Sequence, residues 1–425
     1  MRPLSCQAAL FMYSLFLLLP SITAFFATVG KTSIVVSAKH TVSRSSPSSS
    51  FAMPTTPQSD PNEKDDQIDM TLYKPLIQNF RQAAGLERIY RCASTDALGT
   101  LFETETETDG NDGDSSPLSN LPTRSPEYNI LTNTNLILDL RSASERNEVN
   151  AQRWMSQVPN GPMTMIQHER NPIRKVPSPK SSEKTVLRID VLSPSRLFKY
   201  CDENWIGQPS ERIQYLWNVV FDGNKLHEMR IDALNGRGLY GLYQAILETS
   251  GEELFHALTS ITTFMEGTCT SSQSGNNNTN GGNVAVHCVQ GKDRTGLIIM
   301  FCQSMAGVDD EQIILDYHKS DGLKKKETMS TKDTEAGSAA AETIAQKQKG
   351  RLSREIFSGA PKEAMIQTLA FIRKRYGSVD GYLNHIGFDE DWRSRFVSAA
   401  SCDNNVNKQE GVQGRTEFIQ NRSRL

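Results

Sequence analysis

Val284-Ala285-Val286-His287-Cys288-Val289-Gln290-Gly291-Lys292-Asp293-Arg294-Thr295-Gly296 is the stretch whose reading decides the fold. A short apolar, partly β-branched run leads into a cysteine, and an arginine follows six positions later. Leu297-Ile298-Ile299-Met300-Phe301-Cys302 comes next, apolar on every face. That order predicts a buried strand, a tight loop and a buried helix. A joint of this kind turns backbone N–H groups and the positive end of a helix towards one point, which suits a phosphate. Cys288 sits at the start of the loop, where the same N–H groups and Arg294 favour its thiolate. Arg294 carries a planar fork able to hold two oxygens of a phosphoryl group. Gly291 and Gly296 let the backbone curl without a Cβ in the way.

Two neighbouring chemistries fail on spacing. A nucleotide-binding P-loop needs a glycine five positions before its Gly-Lys pair and a Ser or Thr after it, and Gly291-Lys292-Asp293 has neither. A rhodanese-type sulfur transferase carries a loop cysteine without the Cys-x5-Arg spacing.

The segment resembles the His-Cys-x5-Arg-Thr/Ser loop of the cysteine-dependent protein tyrosine phosphatases. Its His-Cys-x-x-Gly-Lys-Asp-Arg-Thr-Gly form is similar to a narrower branch, typified by bacterial secreted triple-specificity enzymes. The resemblance implies an α/β domain with a mostly parallel central sheet flanked by helices. It also implies a phosphomonoesterase acting through a phosphocysteine, with Cys288 as nucleophile and Arg294 holding the transferring group. Val289, Gln290, Gly291, Lys292 and Thr295 would line the phosphate cradle, Thr295 within reach of the sulfur. No cofactor and no metal is implied. The branch places its general acid inside the loop, at Asp293. An upstream acid would have to be Asp232 or Asp222, because no aspartate lies between Ala233 and Lys292. Lys292 adds positive charge beside the phosphate, so the expected partner is a phosphorylated protein or, alternatively, a phosphoinositide. A phosphate-binding module without turnover is the opposing class.

Further blocks carry the same resemblance. Asn79-Phe80-Arg81-Gln82-Ala83-Ala84-Gly85 follows the branch's early segment, with Gln82 and Ala84 departing from it. Ile89–Ser94 reads as an early strand, and Leu136–Arg141 as a buried strand ending in Asp139 and Arg141. Charged residues at that end of a parallel strand either line a ligand crevice or pair with each other and pin the loop. Val186–Leu192 reads as a strand and Arg196–Asn224 as mostly helical. Arg237–Tyr243 opens a long helix or helix pair running to Phe264. Asp309 caps the next helix. Met365, Leu369, Ile372 and Tyr376 share one helical face, which predicts core.

The chain of 425 residues carries a formal charge of −3. Residues 1–59 hold Arg2, Lys31, Lys39 and Arg44 and no acid, so the remainder is more acidic still. Such a balance gives no reason to expect nucleic acid as a partner. Seven cysteines at wide, irregular spacing suit neither a disulfide framework nor a zinc site.

Residues 1–24 read as a signal peptide: Arg2, then an apolar core over Ala8–Leu19, then Ile22-Thr23-Ala24 as a small-residue cleavage site. The apolar run is short for a membrane span, so no stable span is expected after leader removal. Residues 25–70 read as a transit-like, disordered linker that begins at Phe25-Phe26. That pairing resembles the bipartite plastid leader of algae with secondary plastids; secretion is the alternative. Residues 71–400 form the catalytic domain, with disordered insertions near 103–127, 157–184, 270–283 and 322–350. Residues 401–425 read as a disordered tail.

Overall fold

A computed structural model of the chain describes residues 73–102, 121–123, 125–158, 163–168, 184–206, 218, 222–272, 282–321 and 351–401. All of them fall in the second of two units, Gln67–Leu425. The leader, the linker and the tail beyond Ser401 lie outside the described residues, as does most of each expected insertion.

Six strands form one sheet: β1 (Arg81–Gln82), β2 (Ile89–Cys92), β3 (Thr134–Asp139), β4 (Thr164–Gln167), β5 (Thr185–Arg188) and β6 (Asn283–His287). Their spatial order is β1-β2-β6-β3-β5-β4. Only β1 runs antiparallel to its neighbour. The fold is therefore α/β with a mostly parallel sheet, as the sequence predicts. The strand ahead of the signature loop occupies the middle, between β2 and β3.

Both faces of the sheet are covered, which is why its inner strands are apolar without alternation. Leu136, Leu138, Leu187, Val284 and Val286 point to one side, and Ile137, Val186 and Ala285 to the other. The smaller side packs on α1 (Glu148–Ser156) through Ala151, Trp154 and Met155. The larger side meets the remaining helices. These are α2 (Pro194–Asn204), α3 (Gly223–Thr249), α4 (Gly251–Ser272), α5 (Asp293–Met305), α6 (Asp310–His318), α7 (Arg354–Ser358), α8 (Lys362–Tyr376), α9 (Val379–His385) and α10 (Glu390–Ala400). Helix α5 is buried all round from Thr295 to Gln303, as its sequence requires. Asp309 caps α6 by accepting from the N–H of Gln312 at 2.9 Å. Met365, Leu369 and Ile372 are core. Among the described residues no helix is long and apolar enough to cross a membrane.

Several boundaries differ from expectation, each for a physical reason. The region 157–184, expected as a disordered insertion, contains β4, paired in parallel with β5 from Thr164 to Gln167. This strand is held at the sheet edge by backbone bonds while Thr164 and Met165 stay exposed, so it leaves no apolar period to read. The end of the 103–127 stretch is built into the core. Ser125 and Glu127 are fully buried, and Glu127 accepts the N–H groups of Leu76 and Ile77. Strand β5 stops at Arg188 rather than reaching Leu192, whose φ of 74° turns the chain. Helix α4 extends to Ser272, and β6 already begins at Asn283, which narrows the 270–283 insertion. Helix α3 breaks at Gly238 (φ 62°, ψ −152°), so the Arg237–Tyr243 block straddles a kink. Residues 207–217, with Tyr215, Leu216 and Trp217, lie outside the described residues.

Candidate active site

Register fixes what meets beneath the loop. Cys92 of β2, His287 of β6, Asp139 of β3 and Arg188 of β5 pair in one row across the C-terminal edge of the parallel strands. The loops leaving that edge carry Ser94 and Asp96, the signature residues, and Arg141 to Glu145. This edge is where open α/β sheets place ligands.

The loop backbone is held by its carbonyls. Val289 O accepts from the N–H of Ser94 at 3.1 Å. Asn79 Nδ2 donates to Gln290 O at 3.1 Å and to Gly291 O at 2.8 Å. Arg91 Nη2 adds a second donor to Gly291 O at 2.9 Å. Across a trans peptide the C=O and the following N–H point in opposite directions. Three carbonyls bound on the outer side therefore turn the N–H groups of Gln290, Gly291 and Lys292 to the inner side, a concave array suited to an anion. Helix α5 continues this array. Among the described residues no side chain caps its N-terminus, so its first N–H groups add to the positive field.

Gly291 is required by the scaffold as well as by a ligand. Its φ is +66°, and a Cβ there would lie 2.1 Å from the carbonyl oxygen of Cys92. The loop is thus pressed against the end of β2. Arg91 is buried behind it, paired with Asp316 of α6 at 2.9 Å; Arg81 meets the same carboxylate at 3.1 Å.

Cys288 is buried at 1% exposure and carries a free thiol. His287, its neighbour, is buried too, and burial lowers its pKa to about 4. It is therefore a neutral imidazole near pH 7, with Nδ1 3.4 Å from Cys288 O and Nε2 3.9 Å from Asp139 Oδ1. That fits a residue that fixes the loop rather than one that moves protons. Thr295 Oγ1 is buried and has no hydrogen-bond partner among the described residues.

Arg294 meets a partner that the sequence reading missed. Its Nη1 and Nη2 donate to the two carboxylate oxygens of Glu145 at 2.6 and 2.7 Å, and Nη1 also reaches Leu140 O at 3.3 Å. A guanidinium has five N–H groups. Three are taken, and the remaining two, on Nε and Nη2, lie along a second edge that can grip two oxygens side by side. Glu145 is itself aimed by Ser142, whose N–H donates to Oε2 at 2.8 Å and whose hydroxyl donates at 3.0 Å. The Ser142-x-x-Glu145 spacing of a capping box was the legible signal. Burial opposes ionisation of Glu145, but the Arg294 bonds outweigh it and hold the carboxyl below its ordinary range.

Asp139 and Arg141 pair with each other, the second of the two roles open to them. Arg141 Nε and Nη2 grip Asp139 at 2.8 and 2.9 Å, while Nη1 and Nη2 grip Asp96 at 2.6 and 2.9 Å. Nη1 also donates to Ser94 Oγ at 2.7 Å. Arg141 is 1% exposed and holds three loops together from below rather than facing a ligand. Asp96 carried no sequence signal.

Lys292 does not sit as a second charge beside a phosphate. Its side chain is wholly buried, and Nζ donates to the carbonyls of Phe357 at 2.7 Å and Gly359 at 2.6 Å. It ties the loop to the end of α7 and the residue that follows it. Val289 is the exposed member of the loop and Gln290 is half-buried.

Asp293 opens α5 and stays partly exposed. Its Oδ1 accepts from the hydroxyl of Tyr243 at 2.7 Å, and the hydroxyl of Tyr317 lies 2.6 Å beyond. Burial first, then the Asp293 charge, raises both phenols, so they stay protonated donors. Asp232 is exposed on α3, and Asp222 spends its carboxylate capping that helix at Lys225 N.

The tyrosine phosphatase family matches the chain over residues 118–399. No curated protein matches it.

Proposed function

We propose, from the premise that the chain belongs to the tyrosine phosphatase family, that it is a protein phosphatase of the triple-specificity-like branch working through a phosphocysteine. Family membership makes it a phosphatase of the tyrosine phosphatase type. The observation that carries it is the loop itself. Three outward-bound carbonyls turn N–H groups inward around buried Cys288, and the free edge of Arg294 completes the oxyanion cradle.

In the first step the Cys288 thiolate attacks phosphorus, the S–P bond forms and the P–O ester bond breaks. Asp293 gives its proton to the leaving oxygen. In the second step water attacks phosphorus, Asp293 takes its proton, the S–P bond breaks, and inorganic phosphate leaves with the thiolate restored. Loop N–H groups and the Nε/Nη2 edge of Arg294 hold the equatorial oxygens throughout. The unpartnered hydroxyl of Thr295 is available to the departing sulfur.

The engagement of Lys292 with two carbonyls favours a protein-borne monoester over a polyanionic phosphoinositide, since the extra cation that a lipid headgroup would use is committed elsewhere. Turnover of a small aryl phosphate by the wild type and by Cys288→Ser tests the mechanism. Activity in the wild type and none in the variant is expected, and appreciable activity in Cys288→Ser would refute the covalent path. A panel of phosphopeptides and phosphoinositides tests the substrate class, with faster turnover of the lipids as the contrary result.

The leader, which lies outside the described residues, is proposed to direct the protein to a plastid. The motive is Ala24-Phe25 followed by a stretch without acids to Ser59. A fluorescent fusion of residues 1–60 should enter a plastid and the Phe25→Ala form should not; export of the unaltered fusion to the medium would contradict this.

A further inference from the structure

A second group of side chains with ligand chemistry lies at the far end of the sheet. His168 directly follows β4, and its N–H donates to Arg188 O at 2.8 Å, so the backbone ladder places it. Glu252 and His256 stand four residues apart in the first turns of α4, hence one above the other on a single face. The two imidazole rings are 4.2 Å apart between centroids, tilted by 52°. One ligand atom from each of the three residues falls within 4.8 Å of the others.

From this arrangement we infer that His168, Glu252 and His256 form a divalent-metal site, best suited to Zn2+, that clips the sheet edge to helix α4. Two imidazoles and a carboxylate with a water in the fourth position is a known zinc donor set. Bonds of about 2.0–2.1 Å imply ligand atoms about 3.4 Å apart around a tetrahedral ion, so side-chain rotation of roughly an ångström closes the group onto a metal. All three residues are half-buried, enough for an ion to enter and for its field to act in a drier medium. Nδ1 of His256 is buried and makes no hydrogen bond among the described residues. The charged groups felt at His256 are Glu252 and Glu253, both acidic, and Glu253 is already paired with Arg196 at 2.7 Å.

The site is separate from the signature loop. Strand β4 stands three places from β6 in the sheet, on the order of 14 Å at the usual strand spacing. Its use is structural. Strand β4 is an edge strand with one neighbour and largely exposed side chains, so little besides β5 holds it down. A metal bound only by the folded form would raise stability by mass action.

The full-length protein, stripped with a chelator and dialysed, is titrated with Zn2+ against a chromophoric competitor, and thermal unfolding is followed alongside. One equivalent should bind tightly and raise the unfolding temperature. His168→Gln and His256→Ala should each weaken binding at least about tenfold and abolish that rise. Glu252→Gln, which leaves the ring pair intact, should weaken it less. Cys288→Ser should bind as the wild type does, which separates this site from the loop thiolate. No tight equivalent, or an affinity unchanged in both histidine variants, would overturn the site and leave two histidines in ring contact in its place.

Discussion

Arg294 and Glu145 face each other end-on, with Nη1–Oε2 at 2.6 Å and Nη2–Oε1 at 2.7 Å, although 149 residues separate them in sequence. The pair leaves the Nε edge of the guanidinium free, so Glu145 aims Arg294 rather than competing with a phosphate for the same hydrogens. The ion pair is also partly solvated, Glu145 being about a third exposed, so its worth lies in orientation more than in stability.

Glu145→Ala should therefore lower kcat/KM about 10–100-fold, the usual scale for a misplaced catalytic group. Glu145→Gln, which keeps one acceptor, should fall between that variant and the wild type. Steady-state kinetics on a small aryl phosphate, with circular dichroism to confirm folding, measures this. Wild-type kcat/KM in Glu145→Ala would show that Arg294 finds its position unaided.

Gly291→Ala should destabilise the whole domain. The added Cβ would lie 2.1 Å from Cys92 O and 2.3 Å from its carbonyl carbon, both backbone atoms that cannot rotate aside. Left-handed backbone and overpacking together cost about 2–5 kcal/mol. Gly377 provides the comparison, with φ +82° and open space around its Cα. Gly377→Ala meets the backbone cost alone, about 1 kcal/mol. Thermal unfolding of the two variants separates the contributions, and equal losses would mean that the contact with β2 relaxes freely.

Folding stability should fall as pH drops below about 6.5, in part because of His287. Its folded pKa of about 4 lies below the ordinary histidine value, so the unfolded chain takes up a proton that the native chain refuses. The contribution is fully present above pH 6.5 and is lost progressively from there towards 4. Between pH 7 and 5 it amounts to about 2 kcal/mol. Asp139 acts in the same direction lower down. Burial opposes its charge, yet His287, Arg141 and Arg146 hold it well below the usual carboxylate range. Denaturant unfolding of the wild type and His287→Asn at pH 7 and 5 tests this. An equally steep loss in the variant would place the effect elsewhere.

What the sequence made legible is what repeats or alternates. Apolar runs marked β3, β6 and α5, while β2 was read from its likeness to the early strand of the resembling branch. The Cys-x5-Arg spacing marked the loop, because backbone geometry leaves little choice about which residue types can occupy it. Strand β4 was hidden because an exposed edge strand is held by backbone bonds and needs no apolar face. The supports of the loop were hidden for a different reason. Asp96, Asn79 and Arg91 act through contacts to residues distant in sequence, and a lone polar residue has no period; the capping-box spacing showed Glu145 but not its partner Arg294. Lys292 shows the converse: its place in the motif suggested the phosphate, while its length lets the ammonium reach Phe357 and Gly359 instead.

Asp293 should prove to be the general acid. Its Oδ1 is fixed by the Tyr243 hydroxyl at 2.7 Å, while the carboxylate remains partly exposed at the head of α5. The competing aspartates are placed for other work, Asp222 on a helix cap and Asp232 on an exposed face of α3. A proton donor matters in proportion to the basicity of the leaving oxygen. Asp293→Asn keeps the size of the side chain and its contact with Tyr243, so it tests proton donation with little disturbance of the loop. It should cost roughly 10²–10⁴-fold on an alkyl phosphate. The loss should shrink towards nothing on an aryl phosphate with an acidic phenol. Tyr243→Phe removes the shorter of two contacts to Oδ1, leaving Lys292 Nζ at 3.4 Å, and should reproduce part of the same leaving-group dependence, since it loosens the acid without removing it. Asp232→Asn should leave both rates close to the wild type. A leaving-group-dependent loss in Asp232→Asn, with none in Asp293→Asn, would move the acid to α3 and reduce the Tyr317–Tyr243–Asp293 chain to a structural brace.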